Sequence, residues 1–250
     1  MTEFKDLFSV QASDYARYRP GYPAELFTYL RTLVKNPRVA WDAGTGNGQA
    51  AQELAKFFPR VIATDPSDKQ LQSALPKDNI TYLCEPAEAP TFTDKVDLIT
   101  VAQAFHWFRH ADFAEAVKKV AAPDCHLVVW SYGKATVTPQ IDAAVEVLYT
   151  DILENFWEKE RRDVENGYQN IALPFTEIPA PKMNLTVHWT REELTGYFKT
   201  WSAFQTYLRK GNPEAPVRDA LGKILEAFGE GKRTVSWPMN IRVWRVNTDK

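Results

Sequence analysis

Val39-Ala-Trp-Asp42-Ala-Gly44-Thr-Gly46-Asn-Gly48 is the stretch that decides how this chain folds. It begins as a short, mainly apolar run, continues with glycines at three alternate positions, and leads into a helical pattern that opens near Gln49. Glycine lets a backbone turn tightly and come close to a ligand. The first turn of a helix placed just after it offers unpaired N–H groups to whatever binds there. Strand, glycine turn and helix start, in that order, make a βα unit of a parallel sheet. The spacing is G-x-G-x-G, whereas dinucleotide sites use G-x-G-x-x-G and triphosphate sites add a Lys-Ser/Thr pair that is missing here. A nucleoside carrying less charge than a pyrophosphate fits this loop better.

The same alternation runs outward from the loop. Strands are predicted over 38–42, 60–65, 80–85, 96–102 and 126–132, with helices beginning near Gln49, Ser67 and Asp112. Ser67 and Gln70 have capping-box spacing, which fixes a tight turn after Asp65. An acid at the end of a second strand, about the ribose distance beyond a glycine loop, can accept hydrogen bonds from both ribose hydroxyls. Asp65 is the strongest single contact, and Asp42 stands just before the loop. After Thr138 the pattern changes. Pro139 opens a long helix along Ile141, Val145, Leu148 and Ile152, and a polar segment over 158–170 runs into Pro174, Pro179 and Pro181. Mobile surface structure is expected there. A strand follows over 183–189. Thr190 with Glu193 caps the next helix, and Asn212 before Pro213 is expected to cap another that ends near Gly229. A strand over 234–246 closes a single domain.

Lys and Arg number 30 against 32 Asp and Glu, for a net charge of -2, and no basic field is concentrated enough to hold a phosphate backbone. Nucleic acid is not an expected partner. Cys84 and Cys125 lack metal-site or disulfide spacing and read as reduced, mostly buried thiols. No apolar run approaches membrane-span length, so no membrane partner and a cytoplasmic location are expected, as monomer or homodimer.

Asp42-Ala-Gly-Thr-Gly-Asn-Gly48, Asp65, Glu85-Pro-Ala-Glu88 and the segment from Asp97 to Phe108 together resemble the successive motifs of class I S-adenosylmethionine-dependent methyltransferases. Within them the chain is similar to the methyltransferase type 11, trans-aconitate methyltransferase-like branch, whose opening segment corresponds to Tyr15-Ala-Arg-Tyr18-Arg19-Pro20-Gly21-Tyr22-Pro23. The resemblance implies an α/β fold: a Rossmann-like, mostly parallel seven-stranded sheet with helices on both faces and late helical insertions forming a lid. Residues 14–132 would form the cofactor-binding core, 138–230 the lid and acceptor region, and 233–246 the terminal strand. The cofactor would be S-adenosyl-L-methionine and the partner a small-molecule methyl acceptor, with O-methylation of a small carboxylic acid as the leading case. Asp42, Gly44, Thr45 and Gly46 would face the methionine part, Asp65 and the adjoining Pro66 the ribose, Ala87 and Glu88 the adenine side, and Gln103 the floor. Arg19 would pair with the cofactor carboxylate, helped by Tyr15, and this N-terminal segment would act as a flap.

His106 and Trp107 lie just past the fourth strand, where ligands of open α/β sheets bind, and are the catalytic candidates. His106 reads equally as a general base, a substrate hydrogen-bond donor or a structural residue. His106 and His110 have the spacing of a metal pair but no evident third ligand, so no metal is expected. Trp157, Arg161, Arg162, Tyr168, Trp201 and Arg209 are candidates for lid and acceptor contacts. Competing readings are a methyltransferase of an amine, phenol, lipid-like or natural-product acceptor, a non-catalytic cofactor-binding module, and a nicotinamide oxidoreductase.

Overall fold

Parallel strands with apolar runs on both faces organise the computed structural model, which describes residues 18–247. Helix α1 (Ala24–Thr32) is followed by β1 (Val39–Ala43), α2 (Gln49–Leu54), β2 (Arg60–Asp65), α3 (Asp68–Gln72), β3 (Ile80–Cys84), β4 (Val96–Ala102), α4 (His110–Val120) and β5 (Ala121–Tyr132). Then come α5 (Pro139–Glu146), α6 (Arg161–Glu165), β6 (Thr176–Ile178), β7 (Met183–Trp189), α7 (Arg191–Lys199), α8 (Ser202–Arg209), α9 (Glu214–Phe228) and β8 (Arg233–Arg245). The strand order is β3-β2-β1-β4-β5-β8-β6, with β7 also on β8. The first five strands are parallel, and β8 runs antiparallel to its neighbours. The crossover from β3 over β1 to β4 creates the switch point at which such sheets bind ligands.

The two-residue period of the strands sorts side chains into two cores. Ala40, Val61, Ala63, Leu98, Val128 and Trp130 enter one cluster, beneath α1, α2 and the late helices. Their neighbours Trp41, Ile62, Ile99, Leu127 and Val129 enter the other, beneath α4 and the segment that follows α6. Helices therefore cover both faces.

The sheet has eight strands where seven are expected. Along one edge of β8, β7 takes Arg233–Met239 and β6 takes Val243–Arg245, so two segments share the place of one strand. Pro179 and Pro181 lie between them and have no N–H to give a ladder. The 158–181 region is not the loose surface structure its polarity suggests, since Val164, Tyr168, Ile171 and Phe175 are buried. Asn212 does not cap α9, whose N-cap is Pro213 without a side-chain bond; its amide donates instead to the Tyr207 carbonyl at 3.0 Å, at the end of α8. Thr190 and Glu193 do form the capping box of α7. The helix from Pro139 continues from Val147 as one π-helical turn, Val147–Ile152, that brings Tyr149 into the core. Cys125 is buried as expected, but Cys84 is exposed.

Candidate active site

All three loop glycines adopt left-handed backbone, with φ of 68° at Gly44, 57° at Gly46 and 83° at Gly48. The protein itself demands two of them. A Cβ on Gly44 would lie 2.6 Å from the Ala104 Cβ, and one on Gly48 would lie 2.6 Å from the Tyr82 hydroxyl. Gly46 differs, since the nearest atom to a Cβ there is Gln70 Oε1 at 3.9 Å. Among the described residues packing does not fill the space beside Gly46, which leaves its backbone approachable from their side.

Asp65 fastens this loop to the end of β2. Its carboxylate accepts from the Gly46 N–H at 2.9 Å with one oxygen and from the Ser67 N–H at 2.9 Å with the other. A carboxylate oxygen can accept more than one hydrogen bond, the chemistry a ribose diol calls for. Asp42, fully buried at the end of β1, accepts from Thr45 Oγ1 at 2.5 Å and from Thr100 Oγ1 at 2.8 Å. Burial pushes its carboxyl up to about 6, against the pull of those hydroxyls.

At the end of β4, Gln103 has a φ of 57°, which breaks the strand and turns the chain into the 105–107 helical turn. Its backbone N–H donates to the Trp130 carbonyl at 3.0 Å and its amide to the Tyr132 carbonyl at 3.2 Å, tying it to β5. His106 Nδ1 lies 3.1 Å from the Tyr168 hydroxyl. Burial, aided by the nearby Arg161 guanidinium, holds the imidazole down to about 3, so the ring is neutral at physiological pH. Trp107 is half-buried with its ring 4.7 Å from that of His106. His110 points elsewhere, with Nε2 2.9 Å from the Phe105 carbonyl. Among the described residues no cluster of three His, Cys, Asp or Glu is disposed to hold a metal ion.

Ala87 is buried, and Pro66 is exposed beyond Asp65. Glu88 accepts from the Arg109 N–H at 2.8 Å and so satisfies the backbone at the start of α4. Tyr15 lies outside the described residues. Arg19 packs against α7, its guanidinium 5.2 Å over the Tyr197 ring and its Nη2 3.5 Å from the Thr200 carbonyl. Of the late candidates, Arg162 and Arg209 are exposed, whereas Arg161 lies half-buried over the rings of Trp157 and Tyr149 and Trp201 is buried. Thr100, Tyr82 and Arg242 escape a reading of the sequence, because each acts on a residue distant in the chain. Gly167, an isolated glycine in a polar stretch, is a local feature from which the special backbone there could have been read.

The family described as "Methyltransferase domain" matches residues 41–129. A Dictyostelium discoideum protein named as a methyltransferase is 32% identical across 93% of this chain and 89% of its own length. The solved structure of a candidate type II methyltransferase from Anaeromyxobacter dehalogenans superposes with a TM-score of 0.84 at 36% identity, over 91% of this chain and 98% of that one. Phosphoethanolamine N-methyltransferase 2 of Haemonchus contortus, solved with phosphomonomethylethanolamine and S-adenosylhomocysteine, shares the fold at a TM-score of 0.50 and 14% identity, over 98% of this chain and 60% of that one.

Proposed function

The chain belongs to the class I S-adenosylmethionine-dependent methyltransferases, and from that premise we propose that it methylates a small organic acid at a carboxylate oxygen. The site's residues suit the cofactor. Among the described residues no atom lies closer than 3.9 Å to the place of a Cβ on Gly46, Asp65 stands at the end of β2 with its carboxylate at the loop, and the start of α2 presents N–H groups next to the loop. When bound, S-adenosyl-L-methionine supplies a methyl group activated on a sulfonium. In this reading Gly44, Thr45 and Gly46, with Asp42 behind them, hold the methionine part, Asp65 and Pro66 the ribose, and Ala87 and Glu88 the adenine side. Gln103 forms the floor, and Arg19, with Tyr15, takes the cofactor carboxylate. Residues 14–132 serve as the cofactor core, 138–230 as the acceptor side and lid, and 233–246 as the closing strand.

The observation that carries the acid reading is the condition of His106. A neutral ring whose proton affinity is held far below neutrality makes a poor general base at physiological pH. An acceptor that arrives with its lone pair already available, as a carboxylate does, needs no base from this ring. His106 and Trp107 then orient the acceptor and exclude water. Lys and Arg are balanced by Asp and Glu along the chain, which favours a small molecule over a nucleic acid.

The test is transfer of labelled methyl from S-adenosylmethionine to short carboxylic acids and to matched amides, amines and phenols. At saturating cofactor, ester formation with a rate flat between roughly pH 6 and 8 is expected, since a carboxylate is ionised throughout. Methylation of amines or phenols with the acids inert would overturn the acid reading. Cofactor binding without transfer to any of them would point to the non-catalytic module.

A further inference from the structure

Arg242 and Arg161 both serve the segment around α6, but the fold uses them differently. Arg242 on β8 spends every nitrogen. Its Nη1 donates to the carbonyls of Tyr168 and Ile171, the latter at 2.7 Å, while Nε and Nη2 grip Glu177 bidentately at 2.8 Å each. It ties the chain that follows α6 to the sheet. Arg161, at the start of α6, is engaged at Nε alone. That nitrogen donates to the Tyr149 hydroxyl at 3.1 Å and lies 3.7 Å from Glu165, the one carboxylate in ion-pair reach among the described residues. Nη1 and Nη2 make no hydrogen bond among those residues, although the side chain is only 23% exposed.

The surroundings hold this guanidinium in place. Its central carbon lies 5.1 Å over the Trp157 ring and 5.9 Å over that of Tyr149. Both rings are themselves fixed. The π-helical turn brings Tyr149 inward, and the Trp157 indole N–H donates to the Tyr149 carbonyl at 3.2 Å, which sets the two rings 4.6 Å apart. Trp201 closes on both, 5.4 Å from Tyr149 and 5.5 Å from Trp157. Single π-helical turns of this kind are frequent at functional sites. A guanidinium tethered at Nε and backed by aromatic faces gives up little freedom when its fork meets an anion.

The place is the acceptor side of the switch point. Helix α6 packs on the 105–107 turn beyond β4 and on β5, and the Tyr168 hydroxyl, three residues past α6, meets His106 Nδ1 at 3.1 Å. The charge of Arg161 reaches the His106 ring, where it adds to burial in favouring the neutral imidazole. A cation withdrawn from water with two idle donors calls for an anion. We propose that Arg161 holds the acceptor's carboxylate, with Nη1 and Nη2 donating to its two oxygens, and so sets a preference for anionic acceptors. This role rests on the reading of the acceptor as an acid, but carboxylate binding can be measured without methyl transfer. Each carboxylate oxygen can accept more than once, so a lone pair stays available after the fork has bound. That pair forms the bond to the methyl carbon as the carbon–sulfur bond breaks and its electrons return to sulfur, and no proton moves. An amide or an alcohol would leave the fork without a counter-charge in a site poor in water.

The experiment uses the full chain saturated with S-adenosylhomocysteine, with sodium acetate and sodium benzoate as probes and benzamide as the uncharged control. Nitrogen-15 NMR follows the Trp157 indole N–H, assigned by its loss in Trp157→Phe. A carboxylate is expected to shift that signal to saturation and benzamide to leave it in place. Arg161→Gln should weaken the titration about ten- to a hundredfold, the worth of hydrogen bonds between charged groups. Arg161→Lys keeps the charge but lacks the fork, so it should bind about three- to tenfold more weakly than the native chain, and it judges the anchor if the Gln variant does not fold. No saturable shift with either carboxylate, or equal affinity in native and variant chains, overturns the proposal. Kinetics with the acids that accept methyl provide a second reading. Arg161→Gln should raise KM for the acid at least about tenfold and leave KM for S-adenosylmethionine unchanged. A parallel rise in both constants would make Arg161 a structural residue and overturn the anchor. Carboxylate binding that depends on Arg161, in a chain that esterifies no acid, would uphold the anchor and remove the acid reading.

Discussion

Asp42 and Asp65 end adjacent parallel strands, but burial has made them different groups. Asp65 spends its oxygens on two backbone N–H groups, which orders the glycine loop before any ligand arrives. Asp42 is enclosed completely and held up to about 6 by the cost of burying charge. The unfolded chain keeps such a carboxyl near the ordinary value of about 4, so the fold holds the proton more tightly. The stability this gives is complete below about pH 4 and is lost as pH rises through about 6. If Asp42 stands behind the methionine part as proposed, the cationic sulfonium and ammonium of S-adenosylmethionine favour its ionised form, and the cofactor should bind more tightly as pH rises through the same window. Calorimetry in buffers of different ionisation enthalpy should show proton release on binding near pH 6, absent in Asp42→Asn. Release that persists in the Asn variant would assign the titration to another group.

At the scale of elements, legibility followed how local the cause was. β1, β2 and the turn at Ser67 were readable because apolar runs, glycines and a capping serine act within a few residues. The division of the sheet edge into β6 and β7 was not, because the prolines signal a break without saying that the chain rejoins the same strand beyond it. The segment after α6 misled for a similar reason. Its polar surface hides four buried side chains, and the cation that anchors them comes from β8, about seventy residues on. Asn212 misled because its amide serves the helix behind it. The glycine turn after β1 and the acid that ends β2 were legible from spacing, whereas the contact of Tyr168 with His106 joins two distant parts of the chain. Arg242→Ala should therefore act as a core mutation. It leaves two inward carbonyls without donors, while Glu177, about half exposed, recovers water, so a loss of about 2–3 kcal/mol is expected. Urea unfolding measures it, and Arg242→Lys should recover only part, since an ammonium cannot form the bidentate pair. Unchanged stability in Arg242→Ala would mean that the segment is anchored by its apolar residues alone.

Across the whole molecule, one apolar cluster contains side chains from α1, α2 and the late helices α7, α8 and α9, so the first βα unit and the late segment share a core. The first described residues add a second tie. Tyr18 lies directly on Gly196 in the middle of α7, where a Cβ would come within 2.4 Å of its ring, and Arg19 packs on Tyr197 one residue further on. A glycine inside a helix is otherwise unfavourable by about 1 kcal/mol relative to alanine, and this close approach explains its presence. Gly196→Ala sets two effects against each other. Helix propensity gains up to about 1 kcal/mol, while the overlap would cost about 1–3 kcal/mol if the ring stayed in place. Tyr18 is only half-buried, so the cheaper outcome is that it leaves, and global stability should change little. What should change is the segment itself. Residues 18–23 are expected to lose hydrogen-exchange protection, and if Arg19 serves the cofactor carboxylate, affinity for S-adenosylhomocysteine should fall about three- to tenfold, as for one weakened charged contact. Lost protection with unchanged affinity would separate the two halves of the argument: Tyr18 would remain a clasp on α7, and Arg19 would be a packing residue of that clasp with no hold on the cofactor.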